Sequence, residues 1–274
     1  MKTINCKGKL IDLSKPKVMG ILNLTPDSFY DGGKLTSETE ILKQAETMLS
    51  EGATFIDLGG YSSRPGADVV LEEEEMKRVL PAVRMLLKEF PDVLLSIDTF
   101  RSNIARSTVG EGAALINDIS GGNLDSEMFS TIAELQVPYI LMHMKGTPQT
   151  MTSKTQYKDL LKEVLYYFSE KISMARALGI KDLIADPGFG FAKTREQNFE
   201  LLSDLQLLKH LDLPILVGIS RKSMIYKTLN TSPSQALNGT TALHSVILYK
   251  GASILRVHDV KEAIECVTLC QNLK

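Results

Sequence analysis

An arginine and a histidine two residues apart, Arg256 and His258, close the short apolar run SILRVHDV. On a strand that spacing puts both side chains on one face. A cation pair so placed is hard to explain without an anion. In ILVGISRKSM, Lys222 and Ser223 stand where a helix is expected to begin, and the N–H groups at a helix start attract anions. GGYSSRPGA couples the hydroxyls of Ser62 and Ser63 to Arg64. That combination binds phosphate or carboxylate oxygens well, although Arg-Pro-Gly is also a common turn composition. Two carboxylates, Asp98 in SIDTF and Asp186 in LIADPGFGF, each end an apolar run. Such an aspartate is commonly a helix N-cap. Its alternative task is to accept hydrogen bonds from the N–H edge of a heterocycle. Asn117 in ALINDIS has donors and acceptors for the same purpose, or for a satisfied turn. Asn23, at the head of NLTPDSFYDGG, offers a hard amide oxygen suited to Mg2+. The glycine pair of that segment suits a mobile lid, and its composition equally suits a surface turn.

These residues need a frame that gathers them. Eight short apolar runs end in them: MGIL at Asn23, FIDLGG at Ser62-Ser63-Arg64, LLSI at Asp98, ALI at Asn117-Asp118, YILM at His143, LIA at Asp186, ILVG at Ser220-Arg221-Lys222, and SIL at Arg256 and His258. Amphipathic stretches long enough for helices lie between them. The expected class is α/β, a (β/α)8 TIM barrel forming a single domain over residues 1–274, with residues 1–16 as an N-terminal hairpin or cover. A closed barrel lines up the carboxyl ends of its strands around one mouth, where its active site sits. The length of 274 residues is close to the typical barrel.

Strands are expected at 17–22, 54–58, 93–97, 114–117, 138–142, 182–185, 214–217 and 253–257. Their mostly continuous apolar character is that of strands covered on both faces. Helices are expected at 71–89, 101–111, 125–135, 156–178 and 195–210, then a short one after GISRK, one through Tyr249 and a terminal one. The first helix should begin near Ser37, which has capping-box spacing to Glu40.

Hydrophobic residues make up 43% of the chain, enough for a substantial core, and the net charge is −2. No long basic cluster occurs, so a nucleic-acid partner is not indicated. No apolar run approaches a membrane span, and MKTINCKGKLIDLSKPK lacks the apolar core of a signal peptide. A soluble cytoplasmic protein is expected. Three cysteines, Cys6, Cys266 and Cys270, argue against a disulfide framework. Cys266 and Cys270, four apart, read as two apolar positions on one helix face. The four histidines show no zinc-ligand spacing.

Taken together, NLTPDSFYDGG, GGYSSRPGA, SIDTF, INDISGG, LMHMKGTPQTM, DPGFGFAKT, GISRKSM and RVHDV resemble the successive signatures of the dihydropteroate synthase family, over roughly residues 17–260. Tyr61 and Ser63 stand where that family often has Glu and Thr, and Ser63 keeps the hydroxyl. The resemblance implies the same barrel. It also implies a transferase reaction in folate biosynthesis, which joins 6-hydroxymethyl-7,8-dihydropterin pyrophosphate to 4-aminobenzoate and releases pyrophosphate. The implied pterin pocket is Asp98, Asn117, Met142, Asp186, Phe191, Gly218 and Lys222. The implied pyrophosphate group is Asn23, Ser63, Arg256 and His258, with Mg2+ on Asn23. The implied aminobenzoate contacts are Phe29, Arg64, Pro65, Lys222 and Ser223. Asn23, Asp98, Asp186, Lys222, Arg256 and His258 are the expected catalytic set. Sulfonamides, as aminobenzoate mimics, are implied inhibitors, and a homodimer through the helices after residue 230 is implied as well. Pterin pyrophosphate is expected to bind before aminobenzoate. A pterin-binding methyltransferase would not need the pyrophosphate group, and a non-catalytic pterin-binding protein would be expected to lose lid or phosphate residues.

Overall fold

The eight apolar runs form the eight parallel strands of a closed barrel, in a computed structural model that describes residues 3–24, 34–61 and 70–273. The strands are β3 (Lys17–Asn23), β4 (Phe55–Gly59), β5 (Leu94–Asp98), β6 (Leu115–Asp118), β7 (Tyr139–Met142), β8 (Leu183–Asp186), β9 (Leu216–Val217) and β10 (Ile254–Val257). Chain neighbours pair from β3 to β8, and β10 pairs with both β9 and β3. The remaining seam closes through a bridge between Ala185 and Ile215, and the Ala185 N–H donates to the Pro214 carbonyl at 3.0 Å.

Period-two alternation sorts the strand residues into two environments. Val18, Leu22, Ile56, Leu58, Leu95, Ile97, Ile116, Leu141, Val217 and Leu255 face outward into the main core. There they meet α1 (Lys34–Ser50), α2 (Glu72–Glu89), α3 (Ser102–Gly110), α4 (Met128–Leu135), α5 (Leu160–Ala177), α6 (Arg195–Ser203), α7 (Ser223–Tyr226), α8 (Leu237–Tyr249) and α9 (Val260–Gln271). Each fully buried aliphatic side chain there contributes about 1.5–3 kcal/mol. Met19, Phe55, Leu94, Leu115, Ile140, Ile184, Leu216 and Ile254 face inward and fill the lower barrel. The antiparallel hairpin β1 (Thr3–Cys6) and β2 (Lys9–Asp12) adds Ile4, Cys6 and Ile11 to that inner cluster, so the N-terminal segment is a plug for the barrel floor. With the floor sealed by apolar side chains, polar inward residues have only the upper end left.

Helix boundaries differ from expectation where capping chemistry decides them. α1 begins at Lys34, three residues before Ser37. The operative capping box is Thr194 with Gln197, at the start of α6. Asp159 caps α5, accepting from the Lys162 N–H at 3.0 Å, so that helix starts at Leu160 rather than 156. The segment 195–210 splits into α6 and a tighter turn at Leu205–Leu211. Cys266 is buried on α9 and Cys270 partly so, their sulfurs facing the Thr241 and Ser245 carbonyls, as expected of apolar helix positions. No described helix is long and apolar enough to cross a membrane.

His244 on α8 is 1% exposed, and neither ring nitrogen meets a hydrogen-bond partner. Burial pulls its pKa down to about 4, against a partial upward pull from Asp259. An unfolded histidine titrates near 6.5, so the unfolded chain binds the extra proton between those values. This contribution to stability is therefore complete above about pH 6.5 and is lost as pH falls toward 4, by about 3 kcal/mol in all. Denaturant unfolding should show His244→Leu flattening that slope. A slope unchanged in the variant would assign the acid sensitivity elsewhere.

Candidate functional site

Above the apolar floor, the inward positions turn polar at one end of the barrel. The alternation that buries Phe55 carries Asp57 inward, and that of Leu94 carries Ser96 and Asp98. Asn117 follows Leu115, Asp186 follows Ile184, and Arg256 follows Ile254. Strand register sets Asn23, Gly59, Asp98 and Asn117 side by side across β3 to β6. The carboxyl ends thus assemble one constellation from residues 23 to 258.

Arg256 is its hub. Its Nε donates to Asp57 Oδ2 at 2.6 Å, and its Nη2 to Asp98 Oδ2 at 2.8 Å. The anion that the Arg256–His258 spacing called for is therefore supplied, in part, by the protein itself. Asp57 is fully buried and also accepts from Asn117 Nδ2 at 3.0 Å. One carboxylate oxygen thereby orients both a cation and an amide. Burial alone would pull the Arg256 pKa down, but Asp57 and Asp98 push it above its ordinary value, so the guanidinium stays charged. Burial pushes the Asp98 carboxyl well above the usual carboxylate range, with Arg256 opposing and Asp57 adding to the rise. Around these carboxylates stand Arg256, Lys222 and, beside Asp186, Lys193.

Neither Asp98 nor Asp186 caps a helix; the residues at those positions are Arg101 for α3 and Thr194 for α6. Asp186 is 6% exposed and accepts the Gly188 N–H at 2.8 Å. Its carboxyl is raised by burial and partly restrained by Lys222. Lys222 donates to the Phe189 carbonyl, and its Nζ lies 4.7 Å from the centre of the Phe191 ring. Burial pulls its pKa down to about 8, against Asp186. Phe191 packs on Met142, Ile119, Met144, Met151 and Ala192, an apolar wall facing the carboxylates. A flat heterocycle with N–H donors on one edge matches that combination of wall and acceptors.

His258 stands over the Ser220 hydroxyl, whose oxygen accepts from the His258 backbone N–H at 3.2 Å and lies 3.1 Å from Nδ1. Either atom can donate in that contact, according to the tautomer of the ring. Gly218 lies beside the Arg256 stem, where an added Cβ would sit 3.8 Å from Arg256 Cβ. Ser223 opens α7, as expected, but α7 has four residues, so its terminus carries little of a helix dipole. Arg221 is structural: its fork grips Asp259 at 2.7 and 2.8 Å and it donates to the Pro233 and Ser234 carbonyls.

Asn23 points its amide oxygen toward Gly59 and Asp98: an added Cβ at Gly59 would lie 3.8 Å from Asn23 Oδ1 and 3.7 Å from Asp98 Oδ2. Among the described residues no three His, Cys, Asp or Glu side chains converge on a metal site. Phe29, Ser63, Arg64 and Pro65 lie outside the described residues. The expected order of substrate binding turns on Phe29 and Arg64 and so falls outside them as well. Two buried groups escaped the sequence reading, Asp57 and Lys193, and His143 was placed at a strand end without a role. Asp57 had a signal, a lone charge at an inward position of the apolar strand FIDLG.

The comparisons agree with this geometry. The family model described as pterin binding enzyme matches residues 19–258. The dihydropteroate synthase of Escherichia coli K12 is 44% identical over 267 residues, covering 97% of this chain and 94% of its own. The crystal structure of the Yersinia pestis dihydropteroate synthase with a sulfonamide drug superposes with a TM-score of 0.92, at 43% identity and 98% coverage of both chains. That of Xanthomonas albilineans with 4-aminobenzoic acid also gives 0.92, at 37% identity, covering 99% of this chain and 98% of its own. The chain belongs to the pterin-binding enzymes and, among them, to the dihydropteroate synthases.

Proposed function

We propose that this chain condenses 6-hydroxymethyl-7,8-dihydropterin pyrophosphate with 4-aminobenzoate, giving 7,8-dihydropteroate and pyrophosphate. The observation that carries the reading is the mouth itself. Buried acceptors Asp98, Asp186 and Asn117 face an apolar wall, and Arg256 and His258 flank it on the strand where an anion would depart. The pterin lies against Phe191 and Met142, its N–H edge on the carboxylates. As pyrophosphate leaves the methylene carbon, negative charge builds on the leaving oxygen, and preorganised donors aimed there lower the barrier. Arg256 and the His258 ring are those donors. The positive charge left on the pterin is spread over its ring and offset by Asp98 and Asp186. The aniline nitrogen of 4-aminobenzoate then attacks the methylene carbon and loses a proton, so no protein nucleophile is required.

Asn23 fits Mg2+ by its donor type, a hard amide oxygen that lies near Gly59 and Asp98. When bound, Mg2+ supplies positive charge to the pyrophosphate oxygens. The aminobenzoate contacts extend to Lys222 and Ser223, with Phe29, Arg64 and Pro65 as further walls. The Xanthomonas relative binds 4-aminobenzoic acid and the Yersinia relative a sulfonamide drug, which supports the same two ligand classes here. A cytoplasmic location and a homodimer complete the reading. The exposed Val246 and Tyr249 of α8 and Leu269 of α9 offer an apolar surface for the dimer.

Release of pyrophosphate on mixing the two substrates tests the reaction. A methyltransferase or a non-catalytic binder would release none. A second test isolates the pterin contact. Asp186→Asn keeps an oxygen for the Gly188 N–H but loses the charge. Hydrogen bonds to charged groups are worth about 1.5–3 kcal/mol, so pterin binding should weaken roughly tenfold to a hundredfold with the fold intact. Calorimetric binding equal to wild type would remove Asp186 from the pocket.

A further inference from the structure

Lys193 carries a charge where it has almost no water: the residue is 8% exposed. Its Nζ lies 3.0 Å from the Gly188 carbonyl, 3.1 Å from the Phe191 carbonyl and 3.0 Å from His143 Nδ1. An ammonium has three protons, and three acceptors take them. None is left for a ligand, so this lysine acts on the protein itself. Burial, with Lys193 and Lys145 nearby, pulls the His143 pKa down to about 2, so the ring stays neutral and Nδ1 accepts.

What these bonds hold is the segment between β8 and α6. Its backbone is left-handed at Gly188, Gly190 and Ala192, with φ of 69°, 80° and 49°. The alanine pays a steric cost for that conformation. A side chain at Gly188 would strike the His143 carbonyl at 2.1 Å, so the β7 and β8 loops touch there. The same segment presents the Phe191 ring and the Phe189 carbonyl that accepts from Lys222. Gly190 N–H donates to Asn198 Oδ1 at 2.6 Å, and the Tyr157 hydroxyl donates to the Ala192 carbonyl at 2.9 Å. Those two anchors flank the segment. The Lys193 ammonium ties its two ends to each other and to β7.

We propose that Lys193, held by His143, is a positioning residue that fixes the β8–α6 segment and thereby sets the stacking face of Phe191 and the seat of Lys222. The inference rests on the pterin reading of the mouth. Burial pulls the Lys193 pKa down to about 7, with Asp186 opposing and with Lys222 and Lys145 adding to the fall. The ammonium is present below that value. Above it the amine has two protons for three acceptors, so the segment loosens as pH rises. Lys222, at about 8, gives a separate and later alkaline limb.

The experiment compares Lys193→Met, His143→Leu and His143→Gln with wild type. Calorimetric binding of the pterin pyrophosphate substrate is read across pH 6 to 9, with KM and kcat measured at saturating 4-aminobenzoate. Lys193→Met and His143→Leu are expected to raise Kd and KM for the pterin about tenfold and to abolish the limb near pH 7. The limb near pH 8 should remain. His143→Gln, whose side-chain oxygen accepts, should restore binding to within about threefold of wild type. A merely structural lysine would lower the active fraction, and so kcat, with KM and the pH 7 limb unchanged; that result overturns the proposal. So does His143→Gln behaving like His143→Leu. Should wild type bind the pterin but release no pyrophosphate, the proposed reaction fails, while the binding comparison still decides the role of Lys193.

Discussion

Exchanging Arg256 for methionine is expected to lower kcat about a hundredfold to a thousandfold, the usual loss when one donor to a developing anion is removed. The variant should also lose about 3–5 kcal/mol of stability, because breaking a buried ion pair strands the remaining charge. Both effects follow from one geometry. Arg256 bonds Asp57 at 2.6 Å and Asp98 at 2.8 Å, and the Asp57 side chain is fully buried. Without the guanidinium, Asp57 keeps only the Asn117 amide as donor, and its Oδ1 already has no partner. Arg256→Lys separates the two effects. A lysine keeps the charge but offers no planar fork, so it can satisfy one carboxylate well and the other poorly. Urea unfolding should place it between methionine and wild type, and its kcat should lie closer to methionine. A kcat for Arg256→Met within threefold of wild type would remove Arg256 from the leaving-group machinery, whatever the stability.

The barrel was legible because each strand is an apolar run of the right length bounded by polar residues, and the helices between them have room to cross over. Strand ends were also where the structure gathers the polar inward residues. Asn23, Asp98, Asn117, Asp186 and Arg256 were found that way, and the alternation of the strands explains why they share one mouth. Asp57 was passed over because it lies inside its run rather than at the end. Only the parity with Phe55, known once inward and outward faces are assigned, marks it as an inward group. Lys193 lies within the quoted run DPGFGFAKT, but nothing in its spacing marked it as buried. Its acceptors are two carbonyls of its own loop and a ring fifty residues away, brought together by left-handed backbone at Ala192, a residue type that gives no warning of it. Capping shows the same limit. Ser37 with Glu40 and Thr194 with Gln197 have identical spacing, yet α1 already runs from Lys34, whereas Thr194 stands at the start of α6 and closes its box. The helix after GISRK was expected to hold an anion at its start, and its four residues leave it little dipole for that.

Stripping Mg2+ from the protein is expected to reduce pyrophosphate release by about a hundredfold or more, since a bound metal ion contributes several kcal/mol of charge stabilisation. The charge arrangement explains the need. The mouth holds Asp57, Asp98 and Asp186 against Arg256 and Lys222, and Arg256 already has two carboxylate partners. A pyrophosphate brought here meets carboxylates as well as cations. Two like charges 4 Å apart at an effective dielectric of 20 repel by about 4 kcal/mol. Arg256 and His258 alone are poorly matched to several negative charges. A divalent cation held by Asn23 would supply the missing positive charge, and Mg2+ would need few other protein ligands because it keeps its waters. Excess chelator should therefore stop turnover, and added Mg2+ should restore it. Asn23→Ala should raise the Mg2+ concentration for half-maximal rate about tenfold, the order expected on losing one metal-ligand contact. The same variant should bind a pterin lacking pyrophosphate as wild type does, which separates metal capture from damage to the pocket. Full turnover in a metal-free preparation would sink the assignment of Asn23, and an Asn23→Ala variant with wild-type Mg2+ dependence would move the metal to other residues.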